Sequence, residues 1–150
     1  GTTFKRAFEE ILIDPTLSVQ AGMRGSLYGP DDLQVARDIG FTVLTTDELR
    51  ALGPERYGEL VREKVGDRPV FVSFDIDFLD PAFAPGTGTP EAGGFSTAEA
   101  LAFVRHLRGI NLVGCDVVEV SPPYDGPGAV TALAGATVMY ELLSLVALNT

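Results

Sequence analysis

Stretches with the apolar pattern of β-strands alternate along this chain with stretches that have the periodic apolar pattern of α-helices. The patterns predict strands at 18–23, 41–45, 70–75 and 111–120. They predict helices at 3–13, 31–39, 55–65, 96–107 and 129–148, with a further short helix that begins at 46 or 47. The central strands are apolar throughout, which is typical of strands covered on both faces. The chain is therefore predicted to be an α/β protein, with a parallel sheet and helices on both faces of that sheet.

The last predicted helix, at 129–148, is apolar enough to raise the question of a membrane span. Glu141 lies near its middle, and Thr131, Thr137 and Ser144 place further polar groups along it. These side chains favour a helix that is buried in a domain core over one that crosses a membrane.

The chain carries 21 acidic and 11 basic residues among its 150, which gives a formal net charge of −10. This charge argues against nucleic acid or an anionic membrane as a partner and suits cations. The length is sufficient for one domain with a real core. The single cysteine, Cys115, has no internal disulfide partner and is predicted to be a small buried side chain. The first residues lack the apolar segment of a signal peptide, so a cytoplasmic location is expected.

Two aspartates stand at the end of the apolar strand predicted at 70–75. Alternate residues of a strand point to the same side, so Asp75 and Asp77 are expected to face one site. Neighbouring carboxylates repel, and a divalent cation, a lysine or an arginine would relieve that repulsion. The segment 73–90 contains no lysine or arginine, which favours a cation. The simpler interpretation is that these aspartates cap a helix or a loop.

Further acidic residues are expected at the same edge, because ligands of open parallel sheets bind beyond the carboxyl ends of the strands. Glu119 lies nearest the end of the fourth strand, and its alternative role is a structural ion pair. Asp116 precedes it by three positions, so the two would point in opposite directions unless the strand ends between them. Asp80, directly before Pro81, is predicted to form a turn.

Two other features suggest chemistry only at first sight. His106 is the single histidine, and its arginine neighbours on a predicted helix place it at the surface. The run Gly-Thr-Gly-Thr-Pro at 86–90 lacks the lysine of a phosphate-binding loop. We predict that this run forms a rigid wall beside the carboxylates.

Two long motifs resemble signatures of the ureohydrolase family. The first runs from Phe74 to Gly94 and contains Ala-Pro-Gly-Thr-Gly-Thr-Pro-Glu, and the second runs from Val117 to Asp125 and contains Ser-Pro-Pro-Tyr-Asp. Both forms are closer to the agmatinase branch than to arginase. Residues 22–25, Gly-Met-Arg-Gly, together with Tyr28, resemble the same branch. The likeness extends over almost the whole chain.

The resemblance implies an arginase-like α/β fold with a dinuclear manganese (Mn²⁺) centre. It implies that Asp75 and Asp77 are manganese ligands, that Glu119 grips the guanidinium group of the substrate, and that Asp116 supports a ligand from behind. The implied reaction is the hydrolysis of a small cationic guanidino compound, similar to agmatine, to urea and an amine. Relatives of this kind act in polyamine metabolism and are commonly homo-oligomers.

The chain also departs from the family pattern. Family members take further metal ligands from a Gly-Gly-Asp-His motif and an Asp-Ala-His-x-Asp motif, and neither occurs in this sequence. The family's proton-shuttling histidine usually precedes a Gly-Thr pair, which here is Gly1-Thr2. Phe78 replaces a glycine that is common at its position. Residues 1–150 are therefore expected to be the C-terminal part of a single ureohydrolase domain, with an incomplete fold and no activity alone.

Two alternatives remain open at this point. Haloacid-dehalogenase phosphatases also carry Asp-x-Asp after a strand, with the first aspartate as nucleophile. Their motif continues with Gly-Thr near the N-terminus, whereas Phe78-Leu79-Asp80-Pro81 follows here. The chain would otherwise be a non-enzymatic remnant or an interaction domain, because two carboxylates without imidazoles bind manganese weakly.

Overall fold

The computed structural model describes residues 3–27 and 29–148, so Gly1, Thr2, Tyr28, Asn149 and Thr150 lie outside the described residues. The strands are β1 (Val19–Met23), β2 (Thr42–Thr45), β3 (Pro69–Asp75) and β4 (Asn111–Val118). The α-helices are α1 (Thr3–Glu9), α2 (Asp32–Ile39), α3 (Thr46–Val65), α4 (Thr97–Arg105) and α5 (Val130–Leu148). Short 3₁₀ helices occupy Pro15–Leu17, Ile76–Phe78 and Pro122–Tyr124.

The strands pair in parallel, as predicted. β1 pairs with β2, and β3 pairs with β4, so the described residues form two two-stranded sheets instead of one continuous sheet. The two pairs are joined through side chains, because Val19 of β1 packs against the core that covers β3 and β4. This arrangement keeps the α/β class and places the ends of β3 and β4 side by side.

Only one face of the β3–β4 sheet is covered within the described residues. Its buried side packs on a core that includes Ile76 and Val138, both fully buried. On the other side Phe71 is 59% exposed and Val113 is 65% exposed. The prediction that the strands are covered on both faces is therefore wrong for this part of the chain, because no described helix packs over Phe71 and Val113.

Helix α5 also has two different faces. Buried residues recur at helical spacing along one side, namely Thr131, Ala134, Gly135, Val138, Leu142 and Leu145. The opposite side exposes Leu133, Tyr140 and Leu143. By length and composition alone α5 is the one helix among the described residues that could cross a membrane. Its buried side and an ion pair between Arg105 and Glu141 tie it to the rest of the domain, as predicted for a core helix.

Two predicted boundaries move for reasons of backbone geometry. The first helix ends at Glu9 and not at residue 13, because Ile11 has a φ of 58° that interrupts it. β4 ends at Val118 and not at residue 120, because Glu119 has a φ of 66°. The end of β4 thus falls between Asp116 and Glu119. The alternation of a strand therefore does not force their side chains to opposite sides, and both can face the same site.

Candidate functional site

Asp75 and Asp77 lie at the carboxyl end of β3, but they are not two residues of one strand. β3 ends at Asp75, and residues 76–78 form a 3₁₀ turn that Asp75 caps, since its Oδ1 accepts a hydrogen bond of 2.9 Å from the Asp77 N–H. The strand-period argument for their common direction was therefore wrong. The cap interpretation is correct for Asp75.

The carboxylate of Asp77 is held by two hydroxyls from the loop that follows. Thr87 donates to its Oδ1 and Thr89 donates to its Oδ2. Thr87 is buried, and it forms an isolated antiparallel bridge with Val120, just past β4. The Gly-Thr-Gly-Thr-Pro run therefore packs beside the carboxylates as predicted, and its threonines contact Asp77 directly, a role that the sequence prediction missed.

Glu119 lies near Asp75 at this edge. The parallel register places Asp75 opposite Val118, the residue directly before Glu119. Burial raises the pKa of the Asp75 carboxyl above its ordinary value, and the nearby negative charges of Asp77 and Glu119 raise it further. The hydrogen bond from the Asp77 N–H opposes this shift. Asp75 therefore lies close enough to both Asp77 and Glu119 for their negative charges to act on it.

Asp116 lies on the same face of the sheet as Asp75, two residues before the end of β4. It pairs across the strands with Ser73, two residues before Asp75. Its Oδ1 is buried and has no hydrogen-bond partner among residues 3–27 and 29–148. A buried carboxylate oxygen is normally satisfied by a donor or a cation, so this atom is available to a further polar group.

One arginine reaches this region from outside the acidic segment. Arg24, directly after β1, donates to the main-chain carbonyls of Asp77, Phe78, Leu79 and Glu91. All of these acceptors are main-chain oxygens, and the guanidinium forms no ion pair with a carboxylate of residues 3–27 or 29–148. The acidic residues at the edge thus keep their capacity to bind a cation.

Two other predictions concern residues close to the site. Asp80 forms a turn as predicted, accepting hydrogen bonds from the main-chain N–H groups of Ala82, Gly93 and Gly94, and these bonds lower the pKa of its carboxyl. His106 is exposed at the end of α4, as predicted.

Phe78, which replaces a common glycine of the family motif, fits against Gly22 of β1. A Cβ atom on Gly22 would lie 2.5 Å from the Phe78 ring, so the absence of a side chain there admits the phenyl group. The ring also stacks on Phe95 with 4.6 Å between the ring centroids. The bulk of Phe78 is therefore accommodated in the core between Gly22 and Phe95.

Cys115 packs against the core but is only partly buried, so the prediction of a buried side chain is correct only in part; burial raises the pKa of its thiol.

The residues present fit part of a cation site. Asp75 and Asp77 offer carboxylate oxygens, the donors that manganese and magnesium prefer. No group of three His, Cys, Asp or Glu residues that could hold a metal ion occurs within the described part of the chain. The edge of β3 and β4 therefore supplies acidic ligands and a polar wall, and a complete metal centre would need additional ligands.

Comparison with known proteins identifies relatives along almost the whole sequence. Residues 1–144 match the Arginase family. The chain is 57% identical over 147 residues to guanidinopropionase of Pseudomonas aeruginosa, covering 98% of this chain and 46% of the relative. It is 50% identical over 145 residues to agmatinase of Photorhabdus laumondii, covering 97% of this chain and 44% of that protein.

Comparison with solved structures identifies relatives of the same kind. The solved structure of proclavaminate amidinohydrolase from Streptomyces clavuligerus matches with a TM-score of 0.93 and 48% sequence identity, covering 99% of this chain and 49% of that one. The chain thus spans about half the length of the curated relatives it matches. The predicted ureohydrolase resemblance and arginase-like α/β fold are confirmed, and the chain belongs to the Arginase family.

Proposed function

We propose that this chain supplies the Asp75, Asp77 and Glu119 part of a ureohydrolase active site, which cleaves a small guanidino compound to urea and an amine. The observation that carries the proposal is that Asp77 and Glu119 both lie close to Asp75 at the carboxyl ends of β3 and β4. Relatives named guanidinopropionase and agmatinase support this substrate class. Membership in the Arginase family favours this activity over that of a haloacid-dehalogenase phosphatase.

Asp75 and Asp77 are proposed to be ligands of two Mn²⁺ ions in the complete site. Divalent cations bound there would supply a nucleophile at neutral pH by acidifying water. Asp116, with a buried and unpartnered oxygen, is proposed to support an additional ligand from behind. The remaining ligands would come from polypeptide other than the described residues, so we expect the 150-residue chain to be inactive alone.

Glu119 is proposed to orient the substrate. Its carboxylate is exposed beside Asp75 and is suited to accept paired N–H hydrogen bonds from a planar guanidinium. The substrate would thereby be held with its central carbon towards the cations, which shortens the approach of the nucleophile. The proposed substrate is agmatine-like, the proposed setting is cytoplasmic polyamine metabolism, and a homo-oligomer is the proposed assembly.

A chimera tests the activity. The 147 aligned residues of P. aeruginosa guanidinopropionase are replaced by those of this chain, and urea release from guanidino compounds, agmatine among them, is measured with added Mn²⁺. We expect turnover by the chimera, and a loss of at least about 100-fold on Asp77→Asn, because a metal ligand is removed. Glu63→Gln, which removes an exposed acid of α3, serves as the matched control.

Two results would contradict the proposal. One is a folded chimera that binds Mn²⁺ and releases no urea from any guanidino compound. The other is an Asp77→Asn chimera with unchanged turnover and metal content. The 150-residue chain is assayed in parallel, and urea release by it alone would disprove its expected inactivity.

A further inference from the structure

We propose that Arg24 is a positioning residue that fixes Asp77 for cation binding, acting through the main chain and not through a carboxylate. This inference rests on the proposed function, because it assumes that Asp77 is a ligand. Nothing in the family motifs quoted above assigns a role to the arginine of Gly-Met-Arg-Gly.

The guanidinium of Arg24 connects two segments that are distant from it in sequence. Its Nε and Nη2 donate to the Glu91 carbonyl at 3.1 and 2.9 Å, and Nη2 also donates to the Leu79 carbonyl at 3.1 Å. Nη1 lies 3.4 Å from the Phe78 carbonyl, and Nη2 also donates to the carbonyl of Asp77. One side chain therefore joins the 3₁₀ turn to the end of the following loop.

The packing around this guanidinium is close. A Cβ atom on Gly94 would lie 2.8 Å from the Arg24 Nη2 and 2.5 Å from the Asp80 N. Glycine at this position lets the loop end approach the arginine. A lysine could not replace the contact, because its ammonium group is a single point on a flexible stem, whereas the guanidinium presents five donors in a rigid plane.

All four polar atoms of Asp77 are hydrogen-bonded as a result. Its N–H donates to Asp75, its carbonyl accepts from Arg24, and its two carboxylate oxygens accept from Thr87 and Thr89. Asp77 is only half-buried, so burial alone does not require this complete bonding. A carboxylate whose orientation is fixed before a ligand arrives is what a preorganised metal site needs.

The positive charge of Arg24 and its hydrogen bonds to the main chain are expected to change the strength of cation binding in opposite directions. A positive group near the acidic edge repels an incoming cation, and it contributes a small lowering of the pKa of the Asp75 carboxyl. If charge dominated, removing Arg24 would strengthen cation binding. If positioning dominates, as we propose, removing it weakens binding. The two effects therefore predict opposite signs.

The test uses the ¹⁵N-labelled 150-residue chain, without any substrate. Arg24→Lys keeps the charge and loses the fork, Arg24→Met loses both, and Arg50→Lys is the control. Arg50 is suitable because it donates to the carbonyls of Gly93 and Gly94 at the same loop end but makes no hydrogen bond to residues 76–79. Backbone order parameters of 76–79 are measured without metal, and Mn²⁺ is then titrated while amide broadening around Asp75 and Asp77 is followed.

We expect both Arg24 variants to lower the order parameters at 76–79 and to raise the Mn²⁺ concentration for half-maximal broadening about tenfold, as for partners that orient a ligand. Arg50→Lys should change neither. Unchanged order parameters, or tighter Mn²⁺ binding by Arg24→Met, would overturn the inference. A wild-type chain without Mn²⁺ broadening would mean that the acidic edge of this chain does not bind the cation without the additional ligands, and the order parameters would then decide whether Arg24 positions Asp77.

A second pair of variants is independent of Arg24 and guards against misfolding. Thr89 is exposed and donates to Asp77 Oδ2, so Thr89→Val removes one hydroxyl with little effect on packing. Thr89→Ser keeps that hydroxyl. We expect weaker Mn²⁺ broadening for the valine variant and recovery for serine, at unchanged melting temperature. Equal broadening in both variants would show that Asp77 needs no such positioning.

Discussion

Gly94 is the residue at which the loop after β3, the 3₁₀ turn and Arg24 come together. The Cβ position there is blocked by main-chain and guanidinium atoms at less than 3 Å. Main-chain atoms cannot move aside as the end of a flexible side chain can. The loop can therefore pack against Asp80 only because residue 94 has no side chain.

Gly94→Ala is expected to lower the free energy of unfolding by about 1–3 kcal/mol, because the added methyl overpacks this contact. Gly88→Ala is the control from the same loop, since a Cβ there meets nothing within 4 Å. Urea denaturation of both variants measures the change. Equal stability of the two variants would mean that the loop end is not closely packed.

The acidic residues of the site could be predicted from the sequence, but their partners could not. Asp75 and Asp77 follow an apolar strand, and that pattern is local. Arg24, Thr87 and Thr89 act through contacts between distant or irregular segments, which have no periodicity to detect. The direction of Asp77 was also out of reach, because the strand ends at Asp75 and Asp77 lies in the 3₁₀ turn that Asp75 caps, where the spacing of a strand does not apply.

Among the elements, α5 is held by one face only. Leu142 is fully buried against the core, whereas the next residue, Leu143, is 55% exposed. The two leucines are chemically identical and adjacent, so they report the orientation of the helix directly.

Leu142→Ala is expected to lower the free energy of unfolding by about 2–5 kcal/mol, because it leaves a cavity in the core. Leu143→Ala should change it by no more than about 0.5 kcal/mol, as is usual for surface substitutions. Thermal or urea denaturation of the two variants makes the comparison. Similar losses for both leucines would contradict the packing of α5 described above.

Element types were predictable where local signals were strong. The capping box of Ser96 and Glu99 identifies the start of α4, and both of its hydrogen bonds are present. The two helices expected from residue 46 to 65 are both present within α3, separated at Gly53, whose φ of 78° is not helical. Boundaries failed where a single residue adopts positive φ, as at Ile11 and Glu119, because most side chains disfavour that conformation and sequence pattern does not reveal it.

For the whole molecule, the uncovered face of the β3–β4 sheet is the main departure from the predicted architecture. The α/β class and the parallel pairing of the strands followed from the alternation of strands and helices. The burial of a sheet face depends on tertiary packing, which that alternation does not reveal. Phe71 and Val113 are instead exposed together on one surface. Exposed apolar faces of this kind promote association.

Val113→Glu is expected to reduce self-association of the isolated chain without lowering its melting temperature, because Val113 is 65% exposed. Leu12→Glu, at a residue 70% exposed near α1, adds the same charge elsewhere and is the control. Light scattering at increasing protein concentration measures association. An equal gain from both variants would attribute the effect to net charge and not to the sheet face.

The hydroxyl bonds to Asp77 join residues that are neighbours along the chain. Thr87 and Thr89 are only 10 and 12 positions from the aspartate, whereas the Arg24 contact spans 53. Closing a short segment costs less conformational entropy than closing a long one. The aspartate and its two threonines therefore form a unit that can assemble early from its own stretch of polypeptide, and the arginine locks that unit only once β1 has docked.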